Sequence, residues 1–284
     1  VLDYVLFRYA SIPVLLEQAA PTLTRIAMEQ NALNGYGLAG GTWTTNQWQN
    51  TGLPYYLRGH ISVDERSVLT IAPGVVVKAA GSGIYVSGVL DAQGTEDQPI
   101  VFTALADDAY GGDTDNSGDT VIPKTGDWGG ITFQNASRDD KTVLDYVLFR
   151  YASRPVMLEQ AAPTLTNIVM EQNALNGYGL SSGTWTTNQW QNTGLPYYLS
   201  GDVAVDERSV LTIAPGVVIK AAGTRLYVSG ALDARGPASQ PIVFTALAGD
   251  AYGGDTDNSS DTVAPKTGDW VGVVFQDTSR DDKT

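Results

Sequence analysis

The sequence predicts an all-β chain wound as a parallel β-solenoid, and three observations predict it. Short β-branched runs follow one another with only glycine-rich breaks between them, as in Ser67-Val-Leu-Thr-Ile-Ala-Pro-Gly-Val-Val-Val-Lys78, Gly83-Ile-Tyr-Val-Ser-Gly88 and Val89-Leu-Asp-Ala-Gln-Gly94. No gap between these runs accommodates a helix, so the strands must turn tightly and continue in the same rotational sense. The whole pattern then returns. Val1-Leu-Asp-Tyr-Val-Leu-Phe-Arg8 recurs at Val143 to Arg150, and Arg138-Asp-Asp-Lys-Thr142 recurs as Arg280-Asp-Asp-Lys-Thr284, so the 284 residues are two periods of 142. Roughly four positions in five match between the copies, which must therefore share one fold. The domains expected are repeat copies 1–142 and 143–284 of one continuous rod.

In chain order, Val1 to Tyr9 reads as a strand with Leu2, Tyr4, Leu6 and Arg8 on one face. Val14 to Glu17 and Thr22 to Glu29 follow, with Pro21 at a corner because it lacks a donor. Asn31 to Gly37 is rich in residues that tolerate positive φ and reads as another corner. Gly40 to Gly52 is polar, carries Trp43 and Trp48, and shows no clear period. Leu53 to Leu57, Ile61 to Asp64 and Val68 to Ile71 resume the strands. Pro99 to Leu105 is the next, an acidic excursion spans Asp107 to Asp127, and Trp128 to Gln134 rejoins the stack. Two-residue hairpin turns of the Asn-Gly kind are confined to Asn34-Gly35 and Asn176-Gly177, which argues against a sandwich of hairpins. At roughly 20–30 residues a coil, each period makes about five or six coils and rises about 25–30 Å.

Differences between the copies sort by phase. Val77→Ile219, Ile84→Leu226 and Ile131→Val273 keep volume, as inward positions must. Arg58→Ser200, His60→Asp202 and Glu96→Ala238 change character, as outward positions can. Ile71, Val86, Phe102 and Phe133, with Ile213, Val228, Phe244 and Phe275, are expected in the core.

Composition narrows the function. Thirty-one acidic residues against 17 basic ones give a formal charge of −14, unsuited to nucleic acid or an anionic membrane and suited to cations. There is no cysteine, hence no disulfide framework and no thiolate metal site. No apolar run approaches the roughly 18 residues of a membrane span. Val1 opens in mid-strand with no signal-peptide pattern, so the chain reads as a fragment of something longer.

The strongest polar constellation is Asp107-Asp-Ala-Tyr-Gly-Gly-Asp-Thr-Asp-Asn-Ser-Gly-Asp119. Asp113, Asp115, Ser117 and Asp119 alternate ahead of and behind Gly118, as in the first half of a calcium loop. Asp108, Asp113, Asp115 and Asp119, with Asp250, Asp255, Asp257 and Asp261 in the second copy, are the candidate calcium ligands. The closing Glu of an EF-hand is missing, because Lys124 stands at its place, and the second copy departs further through Asp107→Gly249 and Gly118→Ser260. The competing reading is a solvated acidic loop that bonds its own backbone through Asx turns. Catalysis has little to stand on. The lone histidine, His60, is aspartate in the other copy, and the Asp139-Asp140 pair, open in principle to glycosidase or lyase chemistry, better suits a coil corner beside Arg138 and Lys141. Trp43, Trp48, Trp185 and Trp190 either fill a wide coil or stack on sugar rings, and filling is the commoner fate of tryptophan. Tyr85 and Tyr227 are expected in an outward stack.

The series Leu53-Pro-Tyr-Tyr, Leu69 to Lys78, Pro99-Ile-Val-Phe-Thr, Tyr110-Gly-Gly-Asp-Thr and Gly126-Asp-Trp-Gly-Gly-Ile131 resembles the repeats of large secreted bacterial right-handed parallel β-helix proteins. The resemblance spans essentially the full chain, because it spans the repeat. It implies a right-handed parallel β-helix (β-solenoid), an extracellular or cell-surface location, and a natural repeat starting near residues 53 and 195. That group holds adhesins, fibres and some polysaccharide-active enzymes, so fold alone leaves activity open. The expected function is non-enzymatic: a structural segment of an extracellular fibre or adhesin stalk, with identical units head to tail as partners. The alternative is a carbohydrate-binding or polysaccharide-cleaving β-helix with surface glycans as partners.

Overall fold

The computed structural model describes residues 1–118, 120–260 and 262–280. It is a parallel β-solenoid of about 11 turns. Among the described residues every regular element is a strand, most of them three to five residues long. Contacts divide the chain into two compact units. The first holds residues 1–132, 136–155 and 163–174; the second holds 133–135, 156–162 and 175–284.

The first unit is built on residue ladders that climb from coil to coil. Trp48 pairs with Ile71, Ile71 with Ala92, Ala92 with Leu144 and Leu144 with Leu165, all in parallel register. A second ladder runs Tyr36, Tyr55, Val77, Phe102, Phe149 and Met170. A third runs Trp43, Val63 and Val86. The second unit repeats them as Trp190–Ile213–Ala234, Tyr178–Tyr197–Ile219–Phe244 and Trp185–Val205–Val228–Phe275. Strands this short cannot hold a register alone. Each is fixed because its one or two inward side chains must land on the inward side chains of the coil below.

The long strand Val143–Arg150 shows how a corner is made without glycine. Its first residues pair with Asp91 to Gln93 and its last with Ile100 to Phe102, two separate strands of the preceding coil. Between the two halves Tyr146 is left-handed, with φ of 48°; Tyr4, Arg25 and Asn167 do the same at φ of 55°, 52° and 50°. The left-handed residue resets the alternation, so Leu144, Val147 and Phe149 point inward. The expected single face of Leu2, Tyr4, Leu6 and Arg8 is therefore corrected: the phase breaks at Tyr4. What holds this costly conformation is the next coil, where Thr166 Oγ1 and Asn167 Nδ2 both donate to Asp145 Oδ1 at 2.7 and 2.8 Å. In the equivalent place Arg25 bonds Asp3 and lies 4.0 Å over the Tyr4 ring.

The Asn31 corner is made as its composition suggests. Asn31 is buried, accepts from the Ala10 amide at 2.9 Å and donates to the Phe7 carbonyl at 3.1 Å; Asn173 does the same for Ala152 and Phe149.

Of the eight expected core residues, Ile71, Val86, Phe102, Phe133, Ile213 and Val228 are buried. Phe244 and Phe275 correct the expectation: Phe244 is half-buried and Phe275 is 50% exposed. The inward phase of both is right, as their pairing with Ile219 and Val228 shows. They sit on the last strands of their ladders, with no further coil laid over them among the described residues.

Candidate functional site

The tryptophans are settled by burial. Trp43, Trp48, Trp185 and Trp190 are each 1% exposed. Trp43 and Trp48 meet edge to face at 6.0 Å, and Trp48 stacks on Tyr55 at 5.8 Å. The stretch has no single period because the corner between the strands Gly41–Trp43 and Asn46–Trp48 restarts the alternation. These rings fill a wide coil and present no face to a sugar.

His60 is a structural acceptor: its Nδ1 takes the Gly83 amide at 3.1 Å. Asp202 Oδ1 takes the Arg225 amide at 2.8 Å in the same place, and an ion pair of 3.3 Å to the Arg225 side chain is added there. The exchange of His60 for Asp202 thus keeps an acceptor, where free variation was expected. Tyr85 is half-buried and packs edge to face on His60 at 5.6 Å, while Arg225 lies 5.9 Å from the Tyr227 ring. Asp139 accepts from the Ser137 hydroxyl in a turn, and Asp140 is exposed.

The acidic excursion gathers most of the polar chemistry. It leaves the strand Ile100–Ala104 and folds back over earlier coils of its own unit. Gly111 lies against Pro54, and the Thr114 carbonyl accepts from the Asn34 amide at 2.7 Å. This placement brings Asp108, Asp113 and Asp115 together, with one carboxylate oxygen from each lying within 4.8 Å of the others. Asp250, Asp255 and Asp257 form the same triad in the second unit. Asp119 and Asp261, the fourth residues of each expected set, lie outside the described residues.

The loop also bonds its own backbone. Asp113 accepts from the Ser117 and Gly118 amides at 3.0 Å each, and Asp115 accepts from Ser117 at 3.2 Å. Asp255 and Asp257 repeat this with Ser259 and Ser260. Ser117 therefore enters the loop through its amide. Converging carboxylates and Asx turns coexist in this loop.

Beneath the loop lies a residue the sequence reading missed. Lys78, in the strand Val76–Ala79, is 0% exposed, and its ammonium donates to the Gly112 carbonyl. Lys220 is buried equally and donates to Gly254, with Asp250 Oδ1 3.9 Å away. Burial pushes the Lys78 ammonium below the ordinary lysine range, and the charges of Asp108, Asp107, Asp115 and Asp113 push it back up. The same balance holds at Lys220, with Asp250, Asp257 and Asp255 opposing burial. The signal for it was present: one charge inside an apolar run, unchanged between Val-Val-Lys-Ala and Val-Ile-Lys-Ala. Asp107 is buried too; it accepts from Thr103 and lies 3.6 Å from Arg150, whose guanidinium is 5.1 Å from the Tyr110 and Tyr151 rings.

The donor set is all hard oxygen, which suits calcium and not a soft metal. One converging oxygen from each carboxylate gives three of the six to eight that calcium takes, and Lys78 already supplies one positive charge from inside. The chemistry this arrangement can perform is electrostatic: it holds a cation, or its own lysine, against the wall of the solenoid.

Comparison with known proteins adds no assignment: no family model, no curated protein and no solved structure matches the chain.

Proposed function

We propose that the chain is a structural segment of an extracellular fibre or adhesin stalk, in which repeats continue head to tail. One observation carries the reading: the ladders recur 142 positions on, Tyr36–Tyr55–Val77–Phe102 as Tyr178–Tyr197–Ile219–Phe244. A stack whose inward residues repeat in this way can be extended by further identical repeats, each laid on the one before. Contacts between unlike faces of one repeating unit are heterologous, and they propagate where they do not close. An image of the native particle tests this: a long thread of uniform width is expected, and a compact particle overturns it.

The acidic loops are assigned a stabilising calcium ion, held by Asp108, Asp113 and Asp115 and by Asp250, Asp255 and Asp257. The convergence of both triads despite the exchange of Asp107 for Gly249 supports this. A melting temperature that falls on chelation is expected; one that chelator leaves unchanged assigns the loop charge to Lys78 and Lys220 alone. The carbohydrate alternative loses its aromatic platform with the burial of the four tryptophans.

A further inference from the structure

Two matching corners of the first unit are built alike and finished differently. At the first, Thr24 Oγ1 donates to Asp3 Oδ1 at 2.7 Å, Arg25 bonds both oxygens of that carboxylate, and its guanidinium lies 4.0 Å over the Tyr4 ring. At the second, Thr166 Oγ1 donates to Asp145 Oδ1 at the same 2.7 Å, and Tyr146 keeps the left-handed backbone of Tyr4. Asn167 stands where Arg25 stood. Its amide nitrogen reaches Asp145 Oδ1 at 2.8 Å, in the place of Arg25 Nε, and is too short to supply the rest. Among the described residues no guanidinium lies over the Tyr146 ring; Arg150 is given to the Tyr110 and Tyr151 rings.

This unfinished corner opens onto a groove of about 310 Å³ on the outer side of the strands Val143–Arg150 and Thr164–Glu171. Its apolar part is Leu148 and Val169, which pair in register, and Val169 is 52% exposed. The Tyr110 and Tyr146 rings line it, and so do the exposed residues Glu96 and Glu171. Glu171 pairs with Arg150 at 3.2 Å, a cation it shares with Asp107. Among the described residues Glu96 has no ion pair. The groove therefore joins an uncovered aromatic ring to an excess of carboxylate.

We propose that this groove binds an arginine side chain of a partner peptide, with the guanidinium stacked on Tyr146 and paired with Asp145 Oδ2. The chain itself builds this arrangement at Tyr4, Asp3 and Arg25. A planar guanidinium stacks on a ring and forks onto a carboxylate at once, which an ammonium cannot do. The methylene stem of the arginine lies along Leu148 and Val169. Glu96 supplies the complementary charge, and the formal charge of −14 draws cations to the chain as a whole. No step of this depends on how copies of the chain assemble.

A nuclear magnetic resonance titration of the 284-residue chain with acetyl-Gly-Arg-Gly-amide tests the site. Saturable shifts are expected at the amides of Tyr146, Leu148, Asn167 and Val169, with the matching lysine tripeptide roughly fivefold weaker. Asn167→Arg should fill the place from within and abolish those shifts. The backbone accepts that change, since Arg25 stands at φ of 52° where Asn167 has 50°. Tyr146→Phe should retain binding, and Tyr146→Leu should weaken it roughly fivefold. No saturable shift, or shifts scattered over the acidic loops, would overturn the proposal. So would equal binding of the two tripeptides, or undiminished binding to Asn167→Arg. Shifts at these four amides from cellobiose, with none from the arginine tripeptide, would overturn it in favour of a neutral sugar.

Discussion

Replacing Lys78 with methionine tests what holds the acidic excursion to the wall. Methionine keeps the length and removes the charge, so the fully buried side chain can still be packed. Three things change. The Gly112 carbonyl, on an exposed glycine, loses a charge-assisted hydrogen bond, worth about 1.5–3 kcal/mol. Asp107, Asp108, Asp113 and Asp115 lose the positive charge that opposes theirs, and Asp107, the buried one, keeps only Arg150, 3.6 Å away. Against these stands the relief of no longer burying an ammonium group. The expected net loss is about 1–2 kcal/mol, read from the urea midpoint at low salt. Lys220→Met should cost less, because Gly249 stands where Asp107 would and three carboxylates face the lysine where Lys78 has four. Millimolar calcium should recover part of the Lys78→Met loss, since the triad then offers its charge to an outside cation. A neutral or stabilising Lys78→Met, indifferent to calcium, would refute the claim that this lysine holds the loop.

Burial raises Tyr55 to about 12 and pushes Tyr178 and Tyr197 higher still, so the stability these neutral phenols lend is intact below pH 10 and lost as pH climbs through their folded values. The two buried lysines act oppositely, their burden easing as pH rises toward 10.5, but they are outnumbered. Absorbance at 295 nm should therefore show exposed tyrosines ionising first and the buried set only with unfolding; one smooth transition near pH 10 would count against it. Gly130→Ala puts a Cβ 1.7 Å from the Arg154 carbonyl oxygen, while Gly272→Ala meets nothing within 4 Å at a similarly positive φ. Calorimetry should show the first costing about 3 kcal/mol or more beyond the second, and equal costs would discredit that packing. Phe149→Ala empties the interior ring stack and should cost about 3–5 kcal/mol; Phe7→Ala, on an open strand, should cost about 1 kcal/mol in dilute monomer, and parity between them would contradict the burial difference.

The ladders were readable from sequence because each apolar run is short and bounded, so its inward residue can be counted from the nearest glycine. Val77, Ile84 and their counterparts went inward on that count. Corners at Tyr4 and Tyr146 were not readable. Tyrosine has no intrinsic preference for positive φ, and the bonds that fix the conformation come from Thr166 and Asn167, some 21 and 22 positions away. Phe244 and Phe275 were assigned the right phase and the wrong exposure, since phase is local and cover depends on the coil above. The site divides in the same way. Asp113 and Asp115 were legible as an alternation, Asp108 belongs with them through the fold-back of the loop, and Lys78 was hidden inside a run that reads as plain strand.

The acidic excursion also sets where the chain should hesitate while folding. Most side-chain bonds between coils join residues 21 to 28 positions apart. The coil that spans the excursion is different: Phe102 must find Phe149, and in the second unit a bond across the excursion, Ser229 to Gln276, likewise closes 47 positions. Doubling the loop raises the entropy of closure by only about 0.6 kcal/mol, yet the penalty falls at one step of an otherwise even succession. Growth by nearest neighbours should pass quickly along the short coils and pause there until the excursion has docked on Lys78. Hydrogen exchange would then show protection lost in blocks that end at Ile100–Ala104 and at Val243–Ala246, the strands from which the excursions depart.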